Sequence, residues 1–292
     1  MTTDSNQTAA CCAQFYEQDW VQTILGDSFH PGGTDLTKRL INSLSIRKDD
    51  RVLDVACGMG TTTLLVDEQF ETHVTGVDFS EHNIQRAQEI ALRKGARVEF
   101  KIGDAASLPI EDASIDHVVC ECAVSTFADQ SAAMNEFYRV LKTGGNLAIS
   151  DMVLNGQLPT EVESILAPWT CLASAKTAAG YQKLLLDAGF VVTGYSDESQ
   201  SLLDLVLDLK KKLLVAGLGK TLATADGVPD VLASLNIAEL KSLLDEAKRL
   251  VGAGVVQYCR MTFAKDRPRT SEKPKLALVD TNNEQCGPDC GC

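Results

Sequence analysis

From Arg51 to about Tyr195, short β-branched runs alternate with longer stretches in which apolar residues recur every three or four positions. The short runs predict strands over Arg51–Val55, His73–Asp78, Arg97–Ile102, Ile115–Cys120, Gly145–Ser150 and Phe190–Tyr195. The stretches between them predict helices near Thr61–Glu68, Glu81–Lys94, Ser131–Leu141 and Tyr181–Ala188. Such alternation predicts βαβ units and hence an α/β, Rossmann-like, doubly wound and mostly parallel sheet. Ahead of it, Asp35–Leu44 predicts a helix with Leu36, Leu40, Ile41 and Leu44 on one face. Beyond it, Leu202, Val206, Leu209 and Leu213 share helical spacing, as do Ile237, Leu240, Leu244, Ala247 and Val251. Asn236 is expected to cap the second of these helices and Gly252 to follow its end as the C′ residue. A last strand, Val255–Phe263, puts Cys259, Met261 and Phe263 on one face. The expected division is an N-terminal cysteine-bearing segment (1–48), the alternating core (49–195), a helical insertion with the final strand (196–264) and a flexible Cys-containing tail (265–292).

Composition narrows the function classes. Hydrophobic residues make up 45% of the 292 and charged residues 23%, as in a globular chain. The opening MTTDSNQTAA has no basic or apolar stretch of the kind that directs secretion, and no apolar run reaches the ~18 residues of a membrane span. A cytoplasmic protein without membrane contact is therefore expected. The net charge of −13 argues against a nucleic-acid partner and suits a small-molecule substrate. Ten cysteines are the anomaly. In a reducing compartment they predict thiolate chemistry or simple burial rather than disulfides.

The first strand ends in Asp54-Val55 and turns through Ala56-Cys57-Gly58-Met59-Gly60 into a helix, with glycines that let a ligand approach the backbone at the carboxyl edge of the sheet. The third glycine of a dinucleotide fingerprint is absent, Thr63 standing in its place. Asp78 ends the second strand, where a carboxylate can accept from both hydroxyls of a ribose, and Phe79 beside it can lie against an adenine. Asp104, after the third strand, can accept from the adenine amino group. Singly, each carboxylate reads equally well as a cap or turn residue; at the ends of successive strands they read as a site. Asp54–Gly60, Gly76–Ser80, Gly103–Pro109 and Arg139–Gly145 resemble the motifs of class I S-adenosylmethionine methyltransferases. That resemblance implies S-adenosylmethionine as cofactor and contacts at Asp54, Gly58, Gly60, Asp78, Phe79, Asp104 and Ala105. Ala56 departs from it, since the family often has glycine there.

Fold does not name the acceptor. Oxygen and nitrogen acceptors commonly need a general base, yet the end of the fourth strand reads Cys120-Glu121-Cys122-Ala123-Val124-Ser125, with no histidine. A second cysteine, Cys171, lies between the fifth and sixth strands, and Cys11 and Cys12 precede the core. Asp116–Phe127, Leu166–Phe190 and, more briefly, Gln7–Cys12 are similar to segments of the arsenite methyltransferases. The resemblance implies Cys122 and Cys171 as arsenic ligands with Cys12 or Cys11 as the third, arsenite or its thiol conjugates as substrate, and an external thiol reductant. Soft thiolates suit a soft trivalent ion. Cys57, Cys120 and Cys259 read as small core residues, and Cys286, Cys290 and Cys292 as either a capture site or an inert tail. His30 reads as a turn or cap residue. Two alternatives stand beside this reading: a small organic acceptor with Glu121 or His30 as base, and a metalloid-sequestering protein, which would have no use for Asp78 or Asp104.

Overall fold

In the computed structural model, the described residues are 30–165, 171–172, 174–215 and 236–266. Chain order runs α1 (Gly33–Asn42), β1 (Arg51–Val55), α2 (Thr61–Phe70), β2 (His73–Asp78), α3 (Glu81–Lys94), β3 (Glu99–Ile102), β4 (Ile115–Glu121), a 3₁₀ turn (Val124–Thr126), α4 (Gln130–Val140) and β5 (Leu141–Leu154). It continues with α5 (Thr160–Ile165), α6 (Ala178–Asp187), β6 (Val191–Asp197), α7 (Ser199–Val215), α8 (Ile237–Gly252) and β7 (Val256–Ala264). The seven strands form one sheet in the order β3-β2-β1-β4-β5-β7-β6. β1 pairs in parallel with β2 and β4, and β4 with β5, whereas β7 lies antiparallel between β5 and β6. The expected doubly wound, mostly parallel architecture is therefore present, with one reversed strand.

Side-chain alternation along the strands explains why the sheet is covered on both sides. Val118 and Cys120 of β4 face a core with Met134, Phe137, Tyr181 and Phe190 from α4, α6 and the start of β6's approach. Val119 between them faces the opposite core, with Leu40, Ile41 and Leu44 of the α1 region and Val66 of α2. On β7, Cys259, Met261 and Phe263 all enter the first of these cores, as their spacing predicts. A third cluster gathers Leu202 and Leu213 of α7, Leu240 and Leu243 of α8, and Met152 and Tyr258 from the sheet.

Caps set two helix boundaries. Asn236 accepts from the Ala238 and Glu239 N–H groups at 2.9 and 3.1 Å, and Glu239 accepts the Asn236 N–H at 2.8 Å, a reciprocal capping box. The far end differs from expectation. Gly252 is the last residue of α8 and Ala253 caps it, while Gly254 takes the left-handed conformation at φ 68°. The glycine that closes the helix is two residues later than the apolar spacing suggests, because the last turn extends past Val251. The fifth strand is also longer than Gly145–Ser150, running from Leu141 to Leu154, since its outer end pairs with β7.

Candidate active site

The glycine turn after β1 is built by backbone conformation. Ala56, Gly58 and Gly60 have φ of 58°, 53° and 81°. Alanine at position 56 therefore carries the left-handed strain of about 1–2 kcal/mol that a glycine would avoid, so the departure from the family pattern has an energetic cost. A side chain at Gly58 would project into open space, whereas a Cβ at Gly60 would stand 2.6 Å from Phe100 Cζ. Gly58 leaves room for a ligand; Gly60 leaves room for the protein's own Phe100.

Asp54, Asp78 and Glu121 lie near one another beneath and beside this turn. Asp54 is buried and accepts from Thr63 Oγ1 at 2.6 Å. Burial, against the Thr63 hydrogen bond and with Glu121 and Asp78 nearby, pushes its pKa up to about 7. Asp78 is buried as well; its Oδ2 accepts the Gly58 N–H at 2.8 Å and its Oδ1 the Ser80 N–H at 2.9 Å. Asp78 thus locks the glycine turn to the end of β2, and a carboxylate's several lone pairs let it serve a ligand at the same time. Phe79, next along, is 62% exposed, an unusual state for an aromatic ring at the ligand-binding edge of a sheet. Asp104 is exposed at the end of β3, its Oδ1 taking the Ala106 N–H at 2.8 Å, with Ala105 buried beside it. Buried acceptor, exposed ring, open glycine and exposed carboxylate along one edge fit a nucleoside with a ribose diol and a flat base.

The third carboxylate is Glu121, at the end of β4. Its Oε1 accepts from Thr62 Oγ1 of α2 at 2.7 Å, and its Oε2 from Thr37 Oγ1 of α1 at 3.3 Å. His30 Nε2 lies 3.5 Å from the same Oε2 and 3.2 Å from Thr37 Oγ1. The His30 and Glu121 side chains are only 11% and 6% exposed. His30 is therefore largely buried against Glu121 and Thr37, beyond the turn or cap position its Pro-Gly-Gly context suggested. Thr37 and Thr62 had no signal of their own in the sequence.

Next to Glu121 the chain turns sharply. Cys122 has φ 51°, and its N–H donates to the Ser150 carbonyl at 2.7 Å. Ser125 then donates its N–H and hydroxyl to the wholly buried Asp151 at 3.0 and 2.6 Å, which pins the 3₁₀ turn behind it. This geometry brings the Cys122 and Cys171 sulfurs to 3.2 Å, with the Cys171 thiol donating to the Cys122 carbonyl at 3.0 Å. Both are free thiols. The Cys171 contact and burial push the Cys122 thiol well above its ordinary value. Cys57, Cys120 and Cys259 are buried separately, as core residues. Cys11, Cys12, Cys286, Cys290 and Cys292 lie outside the described residues. Among the described residues no three His, Cys, Asp or Glu side chains converge as a metal site, and no helix is long and apolar enough to cross a membrane.

Comparison with known proteins bears on the family and the fold. A family model described as a methyltransferase domain matches residues 46–204. An arsenite methyltransferase of Halobacterium salinarum is 31% identical over 156 residues, 52% of this chain and 40% of that protein. Phosphoethanolamine N-methyltransferase 1 of Arabidopsis thaliana is 28% identical over 195 residues, 65% of this chain and 40% of that protein. The chain thus spans well under half the length of these two relatives. An O-methyltransferase of Pyrenophora dematioidea is 31% identical over 216 residues, 70% of this chain and 80% of that protein. Among solved structures, Haemonchus contortus phosphoethanolamine N-methyltransferase 2, bound to phosphomonomethylethanolamine and S-adenosylhomocysteine, shares the fold with a TM-score of 0.71 at 18% identity, over 87% of this chain and 57% of that one.

Proposed function

The chain belongs to the methyltransferase domain family, and we propose that it takes its methyl group from S-adenosylmethionine and that its acceptor is trivalent arsenic held by the thiols of Cys122 and Cys171, with Cys12 or Cys11 as third ligand. The observation that carries this reading is the 3.2 Å approach of the two sulfurs beside the carboxyl end of β4. The 31% identity to an arsenite methyltransferase supports it.

In this reading Asp78 accepts from the ribose hydroxyls, Phe79 stacks on the adenine and Asp104 accepts from its amino group. Asp54, Gly58, Gly60 and Ala105 line the same edge. When bound, the cofactor supplies an electrophilic methyl group on a sulfonium. Glu121, buried and fixed by Thr62 and Thr37, adds negative charge to a cleft meant for that cation. Thiolates match the softness of trivalent arsenic. Sulfurs gathered on one side of the ion leave its lone pair on the other, and a lone pair needs no base to expose it. The protein's task is orientation, which can supply about 7–11 kcal/mol when reacting groups are well aligned. An external thiol completes the cycle as reductant.

The test is incubation with arsenite, a thiol and labelled cofactor, followed by separation of the arsenic species. Cys122→Ser and Cys171→Ser should each abolish arsenic methylation while leaving cofactor affinity nearly unchanged, since a serine hydroxyl keeps its proton where a thiol yields a thiolate. Wild-type rates in both variants would sink the arsenic reading. One observation favours a second reading, a small organic acceptor: the buried His30–Glu121 pair has the composition of a general base. In that case label appears on an organic acceptor, and Glu121→Gln removes it.

A further inference from the structure

Glu121 closes β4 two residues beyond the point where Val119 pairs with Asp54, so it stands level with the glycine turn that follows β1. Cys122 comes next on the chain. Glu121 therefore adjoins the cofactor turn on one side and the proposed acceptor site on the other. A donor can pass its methyl group to an acceptor only where those two places meet. Side chains of two helices hold the carboxylate there. Thr62, the second residue of α2, donates to Oε1 at 2.7 Å, and Thr37 of α1 donates to Oε2 at 3.3 Å. Among the described residues its ion-pair partner is His30 alone, 3.5 Å from Oε2.

Fastening β4 to two helices does not call for a charge. A glutamine has the same length, accepts from Thr62 through its carbonyl and offers its amide to Thr37 and His30. A carboxylate only 6% exposed costs more to bury than that amide. The start of α2 offsets part of the cost, since the backbone N–H groups at a helix N-terminus carry partial positive charge and Thr62 sits among them. The remaining charge has a use when a cation is brought to it.

We propose that Glu121 is a specificity residue of the cofactor site, its charge favouring the sulfonium of S-adenosylmethionine over the neutral thioether of S-adenosylhomocysteine. The proposal rests on the reading of S-adenosylmethionine as the methyl donor. In methyl transfer the bond from sulfur to the methyl carbon breaks with its electron pair left on sulfur, and the acceptor's lone pair forms the new bond. Positive charge leaves the sulfur in that step, and Glu121 loses its hold on the spent cofactor. Contacts to the ribose and adenine are common to donor and product, so they discriminate nothing. The attraction that draws in the charged donor is thus cancelled by the reaction itself, which favours release of the product.

The experiment is calorimetric titration of the full chain with S-adenosylmethionine, S-adenosylhomocysteine and sinefungin, which carries an ammonium in place of the sulfonium. Glu121→Gln should raise the dissociation constant of S-adenosylmethionine about tenfold and leave that of S-adenosylhomocysteine within about twofold. Sinefungin should weaken with the donor, because it shares the charge and not the methyl group. Equal effects on charged and neutral ligands, or none on either, overturn the proposal and leave Glu121 as a fastening between helices. A sinefungin affinity that holds while S-adenosylmethionine weakens also overturns it, since the fit of the methyl group has then changed. Thr62→Val removes the hydroxyl that fixes Oε1 and should lower the preference for the charged ligands. If Glu121→Gln does not fold, Thr62→Val decides alone: a smaller preference upholds the role, and an unchanged or larger one overturns it. A wild-type chain that binds none of the three ligands removes the cofactor reading and the proposal with it. A wild-type chain that binds them, beside variants with the same preference, removes the proposal and leaves the cofactor reading in place.

Discussion

Asp54 lies under the glycine turn with a pKa of about 7, and its neighbourhood sets both a stability and a binding prediction. Between the ordinary carboxylate value near 4 and about 7, the folded state holds a proton that the unfolded state has lost. Stability should therefore fall as pH rises through that window. A sulfonium cation nearby favours the ionised carboxylate, so cofactor binding should run the other way and weaken as pH drops below about 7. Calorimetric titrations over roughly pH 5 to 8 should record this, and Asp54→Asn should flatten the profile; a wild-type slope in that variant would take Asp54 out of the linkage. Asp78 is a second residue with two duties. Asp78→Ala should raise the cofactor dissociation constant roughly 10- to 1000-fold through lost charged hydrogen bonds. It also leaves the Gly58 and Ser80 N–H groups to water, so a modest fall in melting temperature should accompany it. The sequence placed Asp54, Asp78 and Phe79 at strand ends, where the structure has them; Cys171, set apart from the core cysteines in the sequence, lies in a buried apolar cluster with Cys122 packed against it. The partners of the site residues were not legible. Thr37 and Glu121 meet across 84 residues, and no local pattern encodes such a contact.

Strands and helices whose apolar period is strong were readable almost to the residue, as with β1, β2 and α3. Boundaries moved where something other than periodicity decides them. β5 grew because β7 pairs along its outer end, and α8 takes in Gly252 as its last residue because Gly254, two residues on, supplies the left-handed turn. The reversed direction of β7 has no signature in its own alternating residues, since both directions bury the same face. The element that carries the cofactor turn gives a paired prediction. Gly58→Ala meets open space, so beyond about 1–2 kcal/mol of left-handed strain it should keep the fold and obstruct the ligand. Gly60→Ala suffers the same strain and also strikes Phe100, so it should lose more melting temperature. Thermal melts and cofactor titrations on both variants separate the two roles; equal loss of stability would contradict this division.

At the scale of the whole molecule, the last described residues are tied down well. The Lys265 ammonium donates to the Tyr138 and Leu141 carbonyls at 2.6 and 2.7 Å and lies over the Tyr138 ring, while its backbone exchanges hydrogen bonds with Gly144 and Gly145. Ending the chain after Asp266 should therefore preserve the melting temperature and methyl transfer at saturating acceptor; a large loss of either would assign the removed residues to the fold or the site. The strand just before this anchor has a further consequence, for the order of synthesis. β7 fills the slot between β5 and β6, pairing with β5 from Asn146 opposite Ala264 to Leu154 opposite Val256. On the ribosome β5 and β6 emerge before it and must wait, β5 with one bare edge of amide and carbonyl groups and β6, which pairs with β7 alone, with two. Bare edges recruit foreign strands. Newly made chains of this protein should thus be most vulnerable to aggregation after residue 197 is exposed and before residue 264 arrives, the interval in which a chaperone has most to protect.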